Sequence, residues 1–297
     1  MKLVQFYIPE IGSRVGIMEG DHVSDITTSE VCGTLEIIRK AASENTSVDE
    51  IAAGLTVNAE YSYESLNTKS DDSKPHLLMP IYPPEVWGCG VTYKRSAEMR
   101  DEDTGEKGIY DYVYSAERPE IFFKATASRC VGNKDYICIR RDSELTAAEP
   151  EMAYVIGGKQ GIVGYTVCND VSAWDIEREN PLYLPQSKVF YGCCALGPVL
   201  VTASEIPDPY NLDIKCRIIR KDEVIFSGNI SSSAIKRKFE ELTEFLCRDN
   251  PILVGTVMTT GTGIMIPNDY ALEPGDVVEI DIEDIGILEN PVKKLGV

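Results

Sequence analysis

Histidine is nearly missing from this chain: His22 and His76 are the two among 297 residues. Basic residues are also scarce, with 29 lysines and arginines against 48 aspartates and glutamates, for a net charge of -19. A nucleic-acid partner needs a basic face to neutralise phosphates, so that class is excluded. A chain this acidic is expected to be soluble and to use cations against its own field. No CxxC pair occurs among nine cysteines, an odd number, and the adjacent Cys193 and Cys194 can neither clamp a metal nor close an easy disulfide. All nine are expected to be reduced, mostly buried thiols of a cytoplasmic protein. The opening run "MKLVQFYIPEIG" is broken by Pro9 and Glu10 and is too short for a signal peptide. No stretch approaches the roughly 18 apolar residues of a membrane span, so no membrane partner is expected.

What is present is an ordinary 43% hydrophobic content, enough for one large or two modest domains. Residues 2–8 and 14–18 read as a strand pair with a turn near "EIGS", and "VCGTLEIIRKAA" as a short helix with Leu35, Ile38 and Ala41 or Ala42 on one face. The polar stretch "SLNTKSDDSKP" marks a boundary near residue 75, which separates a small N-terminal α/β domain (1–75) from a β-rich domain (76–297). No internal repeat occurs. Beyond the boundary, "EIFFKAT", "YICI", "MAYVIG", "IVGYTVCNDVS", "GPVLVT", "LDIKCRIIR", "EVIFSG", "TVMTT" and "DVVEIDI" read as strands, so the fold class is α+β. One helix is expected in "SSSAIKRKFEELTEFLC", with Ile235, Phe239, Leu242 and Leu246 in line and a serine as N-cap. A second runs over residues 93–100, followed by the charged segment "DEDTGEKGIYDYVYSAER" as a mobile lid.

"AEPEMAYVIGG" places Glu149 and Glu151 one residue apart at the head of a strand, and so on one face. Asp170 follows nineteen residues later in "GYTVCNDVSAWD". If the two apolar runs form a hairpin around Gly157, Gly158 and Gly161, Asp170 returns beside the two glutamates. Three converging carboxylates disfavour joint ionisation unless a cation joins them. A hard divalent ion such as Mg²⁺ or Mn²⁺ suits oxygen ligands and keeps positions for water or substrate. From spacing alone, two surface glutamates and an Asn-Asp turn explain the pattern equally well.

The order "EPEMAYVIG…GYTVCNDVSAWD", Lys188, "LGPVLVT", "TGTG" and "LEPGDVVEIDIEDIGILENPV" resembles the fumarylacetoacetate hydrolase family, from about residue 84 to the C-terminus. Within it, "PPEVWGCGVTY", "RPEIFFKATASRCVG", "RRDSELTAAEPE", "ENPLYLPQSK", "GCCALGPV" and "RDNPI" are similar to the 2-keto-3-deoxy-D-arabinonate dehydratase branch. The resemblance implies a β-rich roll of the family's own type behind the small N-terminal domain. It also implies Mg²⁺ on Glu149, Glu151 and Asp170, and at least a dimer, hence a homodimer or homotetramer. A 2-keto acid would be its small-molecule partner, with the metal as Lewis acid on the C2 carbonyl and a stabilised enolate on the way to dehydration.

Further roles follow from the same resemblance. Glu120 in "RPEIFFK" is expected to do the acid–base work. Lys188 would stabilise substrate oxygens, and a Schiff base there is redundant where a metal supplies the electrophile. Lys124, alternating with Phe122, is expected among the substrate-binding residues, either behind the metal site or at a strand edge with its head snorkelling to water. Thr262 and the Gly261 amide would hold the substrate carboxylate, and Tyr93 would touch substrate. "GCGVTY" lacks the later glycine and the βαβ context of a dinucleotide fingerprint. The family's hydrolases pair a glutamate with a histidine to activate water. The corresponding stretch "TYKRSAEMRDEDTGEK" has no histidine, which favours a hydro-lyase of sugar-acid breakdown that needs no attacking water. The competing readings are an acylpyruvate-type C–C hydrolase, a β-keto acid decarboxylase on the same metal, and a non-catalytic metal-dependent binding protein.

Overall fold

A computed structural model describes residues 1–96, 98 and 108–296. The chain opens with β1 (Lys2–Ile8) and β2 (Gly12–Glu19), paired antiparallel from Lys2 opposite Met18 to Ile8 opposite Gly12. β3 (His22–Asp25) follows, then α1 (Thr34–Glu44), which buries Ile37, Ile38 and Ala41. α2 (Val48–Ala53) starts in a capping box, with Ser47 and Glu50 each satisfying the other's backbone amide. β4 (Ala59–Ser62), α3 (Tyr63–Leu66) and β5 (His76–Leu77) complete the first region.

The larger region contains β6 (Val86–Gly90), α4 (Ile109–Ser115), β7 (Glu120–Ala125), β8 (Cys130–Val131), β9 (Ile137–Ile139) and β10 (Thr146–Ala147). The long hairpin β11 (Pro150–Ile156) and β12 (Ile162–Asp170) follows, then β13 (Ser172–Ala173), α5 (Trp174–Glu179), α6 (Leu184–Lys188) and β14 (Cys194–Thr202). β15 (Asp213–Arg220), β16 (Glu223–Ser231), α7 (Phe239–Cys247), β17 (Thr256–Thr259), β18 (Val277–Ile282) and β19 (Gly286–Lys294) close the chain.

Twelve strands form one sheet, in the order β4-β3-β2-β1-β14-β12-β11-β17-β6-β7, with β5 on β1 and β8 on β14. β1 bonds β14 at Lys2 opposite Val201, so the first region extends the central sheet. A second sheet runs β16-β15-β18-β19-β9, and β10 pairs with β13. The sequence pattern follows the sheet's surroundings. β11 is apolar without interruption after Glu151 and is buried on both faces at the sheet's centre. β15 alternates, burying Ile214, Cys216 and Ile218 and exposing Asp213, Lys215 and Arg217, because one of its faces meets water. One hydrophobic cluster runs through both sheets and under α1 and α7. All nine cysteines are free thiols, buried except Cys32 and Cys247.

Each apolar run expected as a strand forms one, and the mixed α and β content agrees with the α+β class. The helix near residue 240 differs from expectation. α7 begins at Phe239 with Lys238 in the capping position, no serine cap, and Ile235 in extended backbone outside the helix. Tertiary contacts override the helical spacing there. Ile235 bridges Tyr93, the Lys236 amide bonds Thr92, and Arg237 is held by the Ala116 and Glu117 carbonyls and by Glu241. The helix expected at 93–100 begins after that bridge, at Lys94–Ser96; residues 97 and 99–107, including much of the expected lid, lie outside the described residues. The described end of the lid segment is α4, whose Tyr110 packs on Val91. β19 is not among the expected strands. Asn290 donates from the strand to the Gly132 and Asp135 carbonyls.

Candidate metal centre

The β11–β12 hairpin supplies the arithmetic of the site. Its turn is closed by the Gly157 amide on the Gly161 carbonyl, with Gly158 and Gly161 at positive φ, where a side chain would be strained. From there the register runs back to Glu151 opposite Cys168 and Pro150 opposite Asn169, and the Asp170 amide bonds the Glu149 carbonyl. Glu149, Glu151 and Asp170 therefore meet, with one carboxylate oxygen of each within 4.8 Å of the others. All three are at least 98% buried.

Two ammonium groups offset this charge, and both come from distant parts of the chain. Lys188, at the end of α6, places Nζ 3.0 Å from Glu149 Oε2, 3.1 Å from Asp170 Oδ2 and 2.6 Å from Ser172 Oγ, over the face of Phe122. Lys124 on β7 places Nζ 2.5 Å from Asp170 Oδ1 and donates to the Val171 and Lys188 carbonyls. Burial is the largest single influence and pulls its ammonium down, but Asp170 with the neighbouring Cys193 and Cys194 together turn the net direction upward. Lys124 is wholly enclosed, which removes the strand-edge alternative. It also corrects the expectation that Lys124 contacts substrate, because its ammonium is held behind the carboxylates by the Val171 and Lys188 carbonyls and the Asp170 ion pair.

The Gly261 amide is likewise committed within the protein. It donates to Glu151 Oε2 at 2.7 Å, instead of facing a substrate carboxylate as expected. Gly261 sits at φ +82, and a Cβ there would meet the Thr92 hydroxyl and the Cys89 carbonyl. Thr262 lies beside this turn, buried, with its hydroxyl on the Ile264 backbone. Tyr93 is 2% exposed, and its hydroxyl is pushed up by burial and then by the Glu151 charge, which places it near that carboxylate.

Glu120 opens β7 opposite Gly90, whose lack of a side chain makes room for its carboxylate. Strand alternation sets Glu120, Phe122 and Lys124 on one face, with Lys124 on Asp170 and Phe122 under Lys188. Glu120 thus lies at the same end of the structure. The buried Cys89 thiol is raised first by burial and then by the charges of Glu151 and Glu120 together. The histidines are elsewhere: His22 is exposed on β3, and His76 on β5 bonds the Lys74 carbonyl and packs on Tyr7.

The donor set fits a hard divalent cation. Oε1 of Glu151 is buried with no hydrogen bond of normal geometry, although the Thr259 hydroxyl approaches the carboxylate, and a protein rarely leaves an acceptor so deep with so little. The Glu151 carboxyl is pushed well above the usual range by burial, then by the charges of Asp170 and Glu149. Three carboxylates face two ammoniums, and a dication on the open oxygens relieves the remainder. Trp174 and Ser172 escaped the sequence reading. The Trp174 indole N–H donates to Glu149 Oε1 at 2.7 Å, and its position four residues after Asp170 was the available signal.

Residues 85–293 match the family model described as fumarylacetoacetate (FAA) hydrolase C-terminal. The chain is 50% identical over 236 residues to a 2-dehydro-3-deoxy-D-arabinonate dehydratase of Saccharolobus solfataricus, covering 78% of this chain and 79% of that one. It is 41% identical over 257 residues to a probable 2-keto-3-deoxyxylonate dehydratase of Haloferax volcanii, covering 86% of each. A solved structure of 2-keto-3-deoxy-D-arabinonate dehydratase complexed with magnesium and 2,5-dioxopentanoate superposes with a TM-score of 0.85 at 40% identity, over 99% of both chains.

Proposed function

We propose that this chain, which belongs to the fumarylacetoacetate hydrolase family, is a magnesium-dependent hydro-lyase that converts 2-dehydro-3-deoxy-D-arabinonate to 2,5-dioxopentanoate and water. The observation that carries this is the buried trio Glu149, Glu151 and Asp170 with an open oxygen on Glu151, in a chain half identical to such a dehydratase.

In this reading the three carboxylates hold Mg²⁺, with Mn²⁺ an acceptable substitute. The bound ion supplies a Lewis acid for the C2 keto group and so acidifies the C3 protons. Glu120 takes a C3 proton and returns it to the C4 hydroxyl, which leaves as water. The C3=C4 double bond so formed shifts to C4=C5 as a proton leaves C5 and one is taken up at C3, and the resulting C5 enol becomes the aldehyde as its hydroxyl proton leaves and C4 is protonated. Lys188 holds a positive charge where negative charge grows on the substrate oxygens. In the same reading Tyr93 would touch substrate and Thr262 would help hold its carboxylate. Lys124 and the Gly261 amide keep Asp170 and Glu151 in place. No imidazole reaches the carboxylates, so the glutamate–histidine pair of the family's hydrolases has no counterpart here.

No helix among the described residues is long and apolar enough to cross a membrane. We place the enzyme in the cytoplasm as a homodimer or homotetramer, a mass that light scattering in solution will read directly. The test of function is proton NMR of the purified protein with 2-dehydro-3-deoxy-D-arabinonate, in Mg²⁺ and then in EDTA. Formation of 2,5-dioxopentanoate that stops on chelation is expected. An unchanged sugar acid in the presence of Mg²⁺ sinks the substrate assignment.

A further inference from the structure

We propose that Trp174 is a positioning residue for the metal centre. Its indole N–H holds Oε1 of Glu149 and thereby sets the rotation of that carboxylate relative to Glu151 and Asp170. The inference rests on the reading that Mg²⁺ binds this trio.

The indole nitrogen can donate and cannot accept, so its 2.7 Å contact with Glu149 fixes the direction of that bond. Trp174 is 5% exposed, and its ring lies outside the main core, in a small cluster with Ala147 and Met265. Arg178 stacks its guanidinium over the ring at 5.2 Å. The surrounding backbone is tied down on the same side. β10 pairs with β13 at Thr146–Ala173 and Ala147–Ser172, which links the residues just before Glu149 to those just before Trp174. The Trp174 amide bonds the Leu145 carbonyl at 2.9 Å. Asp175 accepts from the Ser143 hydroxyl at 2.8 Å and the Glu144 amide at 2.7 Å. The segment carrying one carboxylate and the segment carrying the tryptophan are thus a single braced unit. The other oxygen of Glu149 is held by Lys188, so the carboxylate plane is gripped at both ends.

Donors behind a metal ligand typically carry about 10–100-fold of metal affinity. Trp174→Phe keeps most of the buried ring and deletes the N–H. We expect it to weaken Mg²⁺ binding about tenfold by isothermal titration calorimetry, with kcat at saturating Mg²⁺ falling far less than the affinity. A second measurement needs no variant at this position. In wild-type protein with ¹⁵N-labelled indoles, the Trp174 Nε1–H resonance should move through the Mg²⁺ titration in step with the calorimetric curve. The Trp87 resonance, whose N–H is on Glu85, should stay still, and Trp87→Phe assigns the two. Equal Mg²⁺ affinity in wild type and Trp174→Phe overturns the positioning role and leaves the metal centre standing. If Trp174→Phe does not fold, a Trp174 resonance indifferent to saturating Mg²⁺ overturns it in the same way. Absence of any Mg²⁺ binding to the wild type overturns the metal reading beneath it.

Discussion

Two strands of this molecule carry carboxylates with one residue between them: Glu149-Pro150-Glu151 at the head of β11 and Glu279-Ile280-Asp281 in β18. Their spacing is the same and their fates are opposite. In β18 the neighbouring strand places Arg217 opposite Glu279 and Lys215 opposite Asp281, and a half-exposed Arg217 closes an ion pair with the partly buried Glu279, so each acid faces a cation across the sheet. In β11 the neighbouring strand offers Cys168 and Asn169, and beyond them a third acid, Asp170. The cations come instead from β7 and α6, and one buried oxygen is left open. Solvated charges on a strand cost little and pair weakly. Charges removed from water must be matched in full, or they are there to take up something else. The same local pattern is therefore matched one to one by facing cations in one place and gathered into a candidate metal centre in the other.

The comparison can be broken most sharply by neutralising one acid on each strand. Glu151→Gln should lower kcat/KM on the order of 10³-fold or more and abolish Mg²⁺ binding by calorimetry. Retained Mg²⁺ affinity in that variant would erase the distinction between the two strands. The next largest contrast concerns the cations. Lys124→Met removes one of the two ammoniums paired with buried Asp170, so unfolding in Mg²⁺-free urea should lose about 3–5 kcal/mol. Arg217→Ala on the open sheet should lose less than about 1 kcal/mol. Comparable losses would mean that the buried pair behaves as a solvated one. The smallest effect is expected from Glu279→Gln combined with Asp281→Asn, which should shift stability by no more than about 0.5 kcal/mol and leave Mg²⁺ affinity unchanged. A change in metal binding there would show that the trio is not the site.

What was legible in the sequence depended on how local the cause was. The hairpin could be read because glycines mark its turn, and counting outward from Gly157–Gly161 brings Asp170 level with Glu149. β15 and β18 could be read because a half-buried strand alternates. The helix at residue 235 was misread because Ile235, Phe239, Leu242 and Leu246 keep helical spacing, while the Tyr93 bridge and the grip on Arg237 pull the first of them into extended backbone. Lys124 could be placed on a strand face but not given a depth. Whether it snorkels or is enclosed depends on α6 and β12 lying over it. The Gly261 amide read as open to a ligand because nothing in "TTGTG" shows that Glu151, 110 residues earlier, ends beneath it.

By itself the sequence determined the α+β class and the central hairpin, since both follow from short-range rules of turn, alternation and register, whereas the three acids were singled out only by the family resemblance. Tertiary structure alone decided that these acids are buried, that Lys124 and Lys188 face them, that Glu151 keeps an open oxygen and that Trp174 grips Glu149. Each of these rests on contacts between segments 18 to 110 residues apart. The free energy of a charge is set by what surrounds it in space, and adjacency along the chain carries no record of that.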